Sequence, residues 1–468
     1  MSSSFFGLNI ALKGLQAQQK GMEVTGHNIA NANTEGYSRQ QAVLVQDRSI
    51  EIGDLRLGTG VDVATVRRMR DDFLDAQSQS NNTQLGFWEA KQDMLGQVEL
   101  TYMEPSDNGL ANMMTQFWDG WQELSKNPEN SAVRVSLVQN ANALASGINK
   151  VHSDLTNIVE SIEDSAGKTV QDINTKLDQI AQLNGQIRSS QTGNQAPNDL
   201  LDKRTLLIDQ LSQLVGIQVQ PTESGMVDIY VGGRPLVSGT DFQGLTLDRN
   251  DAGIEVKWAG APTEDLTISG GKLKGLLDVR QEIKDTYLNN LDTLAAVLID
   301  KVNTLHRSGF DLTDDVDNTG NNFFESLPSP TPDNYSAAAN IKVSDQILND
   351  PGKLAAASLA DSAGDGSIAL EIAQLKQAAV LNGDTATFDE FYTDDISRLG
   401  VNAQEANRMV ENIDAMKQQL QVRQEAVAGV SLDEEMTNLM QYQHAFSAAA
   451  KVVSAIDEML NVLINRMG

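Results

Sequence analysis

The chain has 468 residues and a formal net charge of −29, from 35 lysines and arginines against 64 aspartates and glutamates. Negative charge of this size repels nucleic-acid backbones and anionic membrane surfaces, so we expect neither as a partner. The sequence contains no cysteine, which excludes disulfides, thiolate metal sites and cysteine nucleophiles.

Residues 1–32 combine two seven-residue series that run side by side. The apolar series consists of Leu8, Leu15, Met22 and Ile29. The position before each of these holds a small or polar residue, in the order Gly7, Gly14, Gly21 and Asn28. Each interior glycine costs a helix about 1 kcal/mol relative to alanine, so this helix needs a closely packed partner. The segment lacks the basic start and continuous apolar run of a cleaved secretory signal, so we expect none.

The middle of the chain contains three kinds of sequence pattern. Alternating β-branched residues around glycines predict a β-rich arm over 41–68. Apolar residues at three- and four-residue intervals predict long helices over 71–214, 273–307 and 388–427. Between them, glycine and β-branched residues in 216–271 predict a small β insert. No apolar run approaches the roughly 20 residues of a membrane span.

These elements predict a mainly α-helical, elongated, multidomain protein with a β insert, as the length and the 40% hydrophobic content also favour. We expect a terminal helical core formed by 1–40 plus 428–468. A helical middle domain would comprise 41–215 plus 272–427 and include the β-rich arm. Residues 216–271 would form an outer β domain.

An acidic segment follows the second helical region and partly matches a calcium-binding loop. Asp315, Asp317 and Thr319 alternate as oxygen ligands do in such a loop, with Gly320 at its sixth position. The twelfth position is Ser326, which removes the bidentate glutamate, so we favour an acidic turn. No histidine pair has metal-ligand spacing, and no nucleophile elbow or phosphate-binding loop occurs. We therefore expect no cofactor and no enzymatic activity.

The C-terminal segment carries a second pair of seven-residue series. The first consists of Leu432, Leu439, Phe446, Val453 and Leu460, and the second includes Tyr442, Ile456 and Leu463. This is the a/d pattern of a coiled coil. The helix would extend about 50 Å at ~1.5 Å per residue, which exceeds what a compact domain covers. The N-terminal helix is the simplest partner for this helix. The alternative is that both are ordinary amphipathic helices on the surface of a globular core.

We predict that both terminal segments are disordered in the free protein and fold together on assembly, because two paired helices alone would leave apolar surface exposed.

The run GHNIANANTEGYSRQQ at 26–41 has a distinctive pattern of asparagine, glycine and tyrosine. It resembles the N-terminal signature of bacterial flagellar rod, hook and hook-associated proteins. The matching positions include Asn28, Asn31, Asn33, Thr34, Gly36 and Tyr37. Asparagine and glycine here tolerate left-handed backbone and would end the first helix, while Tyr37 and Arg39 would anchor the turn to a neighbour. A simple helix cap is the alternative.

Three further segments, 57–77, 302–312 and 429–464, look like the FlgK family of hook-associated proteins. This resemblance implies a structural subunit that joins the flagellar hook to the filament by self-assembly. It implies four partners: further copies of itself, the hook protein, a second junction hook-associated protein and an export chaperone at the C-terminal helix. It also implies an extracellular location in the flagellum, reached through the flagellar type III system without a cleaved signal.

Two other functions stay open from the sequence. A hook or distal rod subunit shares the N-terminal motif, but the long helical middle and the ending SLDEEMTNLMQYQ argue against it. A hydrolase with buried carboxylates would require a concave site, which the sequence cannot reveal.

Overall fold

The computed structural model describes residues 2–52, 55–190, 196–250, 253–260, 266–312, 321–329, 332 and 335–467. The fold is mainly helical with small antiparallel sheets, which confirms the predicted class. The chain divides into two compact units. The first comprises Met1–Phe87, Thr169–Leu273 and Glu411–Gly468, and the second comprises Trp88–Lys168 and Lys274–Val410. The three-part domain division expected from the sequence stays a prediction.

The first unit contains both terminal helices. Its helices, some of which contribute only one end, are α1 (Ser2–Ala30), α2 (Asp72–Tyr102), α4 (Ser131–Ser190), α5 (Asn198–Leu214), α11 (Phe388–Ala428) and α12 (Leu432–Met467). Helix α1 ends at Ala30, just before the asparagine- and glycine-rich turn. Gly36 in that turn has φ +76°, a left-handed conformation that glycine adopts without steric cost.

The strands of the first unit form four small antiparallel sheets among the described residues. Strand β1 (Gln40–Gln46) pairs with β4 (Val61–Arg68), and β2 (Ile50–Ile52) pairs with β3 (Leu55–Leu57). A four-stranded sheet has the order β5 (Gln218–Pro221), β6 (Val227–Val231), β7 (Arg234–Ser238) and β8 (Asp241–Phe242). A separate hairpin joins β9 (Leu245–Asn250) to β10 (Gly253–Trp258).

The second unit is built around helix α3 (Leu110–Lys126). Its apolar residues recur at three- and four-residue intervals, so one face is buried. The unit also includes parts of α2, α4, α6 (Gly271–Glu282) and α11, together with a π-helical segment (Ile283–Leu288), α7 (Asn289–Arg307), α8 (Ala337–Asn340), α9 (Asp345–Asn349) and α10 (Ser367–Gln374). The buried face of α3 contributes Phe117, Trp118 and Trp121 to an aromatic core. The same core contains Phe323 and Phe324.

His306 lies fully buried beside this aromatic core, with its ring centroid 6.3 Å from that of Trp121. Its Nε2 accepts a hydrogen bond from the Ala355 backbone N at 2.9 Å. Its Nδ1 lies 2.8 Å from the carbonyl oxygen of Asn321, to which it donates. This pair of bonds requires a neutral ring with the proton on Nδ1. Burial accordingly lowers the pKa of His306 from 6.5 to about 4.

We expect the second unit to lose stability through His306 as the pH falls. The folded pKa lies below the unfolded one, so this contribution is complete above about pH 6.5 and declines toward pH 4. The lowered pKa corresponds to about 3 kcal/mol. His306→Gln should remove the dependence, because its amide keeps both hydrogen bonds without titrating. Urea unfolding at pH 7, 5.5 and 4.5, followed by tryptophan fluorescence, measures it.

Wild type and His306→Gln must be compared directly, because the titration of Asp395 changes the stability with pH in the opposite direction to that of His306. Burial raises the pKa of Asp395 to about 6, so its protonation stabilises the fold below that pH. This effect is common to both proteins and cancels in their difference. Identical pH profiles for wild type and His306→Gln would contradict the prediction.

Candidate functional site: the terminal helix pair and its turn

Helices α1 and α12 pack against each other through the small-residue series of α1. The contacts follow one register: Gly7 lies against Ile456, Gly14 against Ala449 and Gly21 against Tyr442. Because residue numbers rise along α1 as they fall along α12, the helices run antiparallel. The glycines allow the two backbones to approach closely, as the N-terminal pattern predicts.

The fit is tightest at Gly21, which is buried. A Cβ placed there would lie 2.7 Å from Cε1 of Tyr442 and 2.9 Å from two more ring carbons. Gly26, on the same helix, would meet nothing within 4 Å. The Tyr442 ring therefore occupies the space that any side chain at Gly21 would need.

The large residues of both predicted series lie mostly beside this line of contact. Half-buried positions are Leu8, Leu15, Met22, Ile29, Leu439, Tyr442, Phe446, Val453 and Leu460. Ile456 is buried, whereas Leu432 is 51% exposed and lies outside the contact. The side chain of Leu463 is outside the described residues. The pair alone therefore buries few of these side chains completely.

The register ends on a polar pair. Asn28 occupies the fourth position of the small-residue series, and its Nδ2 donates to Oε2 of Glu435 at 3.0 Å. Both residues are 1% exposed. Glu435 also accepts from Nε of Arg39 at 2.7 Å, so its buried charge is paired. Arg39 reaches the exposed Glu434 with Nη1 at 2.8 Å.

Asn28 also closes the turn that follows α1. Its Oδ1 accepts from the Tyr37 hydroxyl at 2.7 Å and from the Gln40 backbone N at 2.9 Å. Its Nδ2 donates to the Gln40 carbonyl at 2.9 Å. Burial, followed by the charges of Asp199, Asp202 and Glu435, raises the pKa of Tyr37 well above its usual value, so the hydroxyl stays a donor.

The remaining motif residues shape the same turn. Asn31 donates from Nδ2 to the His27 carbonyl at 3.0 Å, and the Thr34 hydroxyl donates to Oδ1 of Asn31 at 3.2 Å. Asn33 is exposed. A Cβ at Gly36 would lie 3.2 Å from the Leu206 side chain. Tyr37 and Arg39 contact their own chain, and their contact with a neighbour stays a prediction.

Several residues of this site were missed by the sequence analysis. Ser38 donates from its hydroxyl to Oδ1 of the buried Asp202 at 2.8 Å and from its backbone N to Oδ2 at 3.1 Å. Arg68 donates to the same Oδ1 at 2.9 Å. No local pattern marks these pairs. Glu435 does carry a signal, because it precedes Tyr442 by seven residues and places a charge in an apolar series.

The site's chemistry is that of paired charges and packed helices. Within the described ranges, no group of three or more histidines or acids could hold a metal ion. Nor, in those ranges, is any helix long and apolar enough to span a bilayer. The partial calcium match at Asp315, Asp317 and Thr319 lies outside the described residues.

Models of three protein families match the chain. The flagellar hook-associated protein FlgK helical domain matches residues 95–324. The C-terminal domain of flagellar basal body rod FlgEFG proteins matches 424–467, and the flagella basal body rod protein family matches 8–37. The two rod-family matches cover most of α1 and α12.

Individual proteins give the same result. Flagellar hook-associated protein 1 of Bacillus subtilis is 32% identical and aligns over 100% of this chain and 99% of its own length. Its Escherichia coli counterpart is 25% identical over 98% and 99% of the two chains. The solved structure of the flagellar hook junction protein FlgK from Burkholderia pseudomallei superposes with a TM-score of 0.65, at 16% identity, over 75% of this chain and 100% of its own. This last likeness shows the fold alone.

Proposed function

The chain belongs to the FlgK family of flagellar hook-associated proteins, and from this premise we propose that it self-assembles through its terminal helices at the junction between hook and filament. Membership makes it a structural component of the bacterial flagellum, from a family that is not one of enzymes. The assembly site we propose consists of α1, α12 and the turn between Asn28 and Arg39.

The observation that carries this proposal is the incomplete burial of the helix pair. Two helices bury one line of contact, and large apolar side chains on other sides stay in water. Leu12 is 47% exposed, Met440 51% and Met459 58%. Apolar surface of this kind marks an interaction site in a folded protein. Neighbouring copies would cover it, and folding of the two segments on assembly would keep it covered.

We propose the hook protein and a second hook-associated protein as neighbours along the axis. A cytoplasmic chaperone would hold the C-terminal helix before export through the type III channel, which needs no cleaved signal. The absence of cysteine suits such a narrow route, because no disulfide could block threading. The terminal core, 1–40 plus 428–468, would lock subunit to subunit, and the middle and outer β domains would make the lateral and outward surfaces.

A hook or distal rod subunit is the second candidate. The matches at 8–37 and 424–467 are to rod families and favour neither possibility. The match to the FlgK helical domain over 95–324 favours the junction.

Electron microscopy of isolated hooks with labelled protein tests the proposal. We expect the full chain to bind a narrow zone at the distal hook end, and a chain lacking 1–40 and 428–468 to lose that binding. Label along the whole hook would indicate a hook subunit instead. Binding that survives truncation would show that the terminal helices are not the assembly site.

A further inference from the structure

Helix α12 exposes two separate apolar stripes beyond its contact with α1. The first stripe, in the N-terminal part of the helix, consists of Leu432 (51% exposed), Met436 (49%) and Met440 (51%). The second stripe, toward the C-terminal end, consists of Val452 (50%), Met459 (58%) and Val462 (50%). Half-exposed apolar side chains of this size, grouped on a helix, are typical of interaction surfaces.

The middle residues of the two stripes lie on different sides of the helix, whereas Met440 and Val462 are only about 40° apart around it. Taking Tyr442 as the centre of the face toward α1, Met436 lies about 120° to one side and Met459 about 100° to the other, at ~100° per residue. Their starts are roughly 30 Å apart along the axis, at about 1.5 Å per residue. Their lengths are similar, about 12 Å and about 15 Å by the same measure.

An exposed charge stands at the start of each stripe. Asp433 follows Leu432, and Lys451 precedes Val452. Both are exposed, and neither has an ion-pair partner among the described residues. Aligning the stripes by their first residues brings an acid of one helix near a base of the other. The two stripes are therefore complementary in charge as well as similar in length.

We propose that the first stripe of one copy binds the second stripe of the next copy, head to tail. This inference rests on the proposed self-assembly and specifies its contact surfaces. A parallel, staggered contact between the stripes brings Asp433 near Lys451, whereas an antiparallel two-fold pairing of the same stripes would place these two charges at opposite ends of the contact. A head-to-tail contact buries both and repeats from copy to copy. It staggers neighbouring α12 helices by roughly 30 Å and places Asp433 beside Lys451 of the neighbour.

Single-cysteine variants test this pairing, since the chain has no cysteine of its own. Met440→Cys and Met459→Cys chains are bound to hook ends, separately and mixed, and then oxidised. We expect disulfide-linked dimers at least tenfold more abundant in the mixture than in either variant alone, and a ladder from a chain carrying both cysteines. Met416→Cys, at a 51% exposed methionine on α11, is the matched control and should stay monomeric.

Each alternative result of the cross-linking experiment would contradict a different part of the proposal. Dimers from Met440→Cys alone would mean two-fold pairing, and cross-links to the hook protein would mean a different occupant. Chains that bind hook ends without mixed cross-links would refute the head-to-tail contact and leave the proposed function standing. If the wild-type chain does not bind hook ends, the proposed function fails, and the head-to-tail contact that rests on it fails with it.

A charge exchange provides an independent variant. In the cysteine pair, Asp433→Lys in the Met440→Cys chain should reduce cross-linking severalfold. Adding Lys451→Asp to the Met459→Cys chain should restore it, because the pair is then reversed. Failure of the second change to restore cross-linking would contradict the predicted stagger.

Discussion

Replacing Gly21 with leucine is expected to weaken incorporation at hook ends. Gly21 faces the Tyr442 ring, and even a methyl group there would lie 2.7 Å from Cε1. Alanine would gain about 1 kcal/mol of helix propensity, which partly offsets its clash, so leucine separates the two effects. Overpacking of this kind costs about 1 to 3 kcal/mol per subunit, or roughly 5- to 150-fold in affinity. Quantitative labelling of hook ends measures it.

Two variants distinguish packing from a general effect on the helix. Gly26→Ala lies on α1 where a Cβ meets nothing within 4 Å, so it should bind at least as well as wild type. Gly21→Leu combined with Tyr442→Ala should recover binding, because the ring that clashes is gone. Normal binding by Gly21→Leu alone would show that α1 and α12 do not pack in this register in the assembly.

The seven-residue spacing identifies the two contacting series but not how they align. A shift by seven residues in one direction places Gly14 opposite Tyr442 and keeps apolar groups in contact. The polar members remove this freedom. Asn28 and Glu435 are the ends of their series, and a buried carboxylate without a donor costs several kcal/mol. Reading Glu435 as a member of the apolar series would therefore have given the register from the sequence.

Contacts distant in the chain were beyond local pattern analysis. Asp202 receives hydrogen bonds from Ser38 and Arg68, although more than a hundred residues separate them. Such pairing depends on which elements the fold brings together, and a buried aspartate in a helix has the same local signature as a solvated one. The neutral state of His306 likewise follows from two backbone groups that only the tertiary structure supplies. Periodicity indicates which faces are buried but leaves polar partners undetermined.

Among the residues that bind the turn, Glu435 is expected to cause the largest loss of binding to hook ends when its carboxylate is removed. Glu435→Ala leaves Nδ2 of Asn28 with one acceptor fewer and takes the buried partner from Arg39. Arg39 is 26% exposed and keeps Glu434, so the cost comes from the hydrogen bonds to the buried carboxylate, each about 1.5 to 3 kcal/mol. We expect loss of binding to hook ends, with faster hydrogen exchange over residues 31–39 in whatever protein is bound. Glu435→Gln keeps the side chain's shape and one acceptor, so its loss should be smaller.

Glu434→Ala is the matched control, because Glu434 binds the same arginine from an exposed position. Its side chain is 62% exposed, against 2% for Glu435. Exposed ion pairs contribute at most about 1 kcal/mol, so this variant should bind within about fivefold of wild type. Since both variants remove one carboxylate from Arg39, the difference between them measures the burial of Glu435 and its bond to Asn28. If both variants lost the same amount of binding, only the ion pairs of Arg39 would matter. The burial of Glu435 and its hydrogen bond to Asn28 would then not be needed for binding.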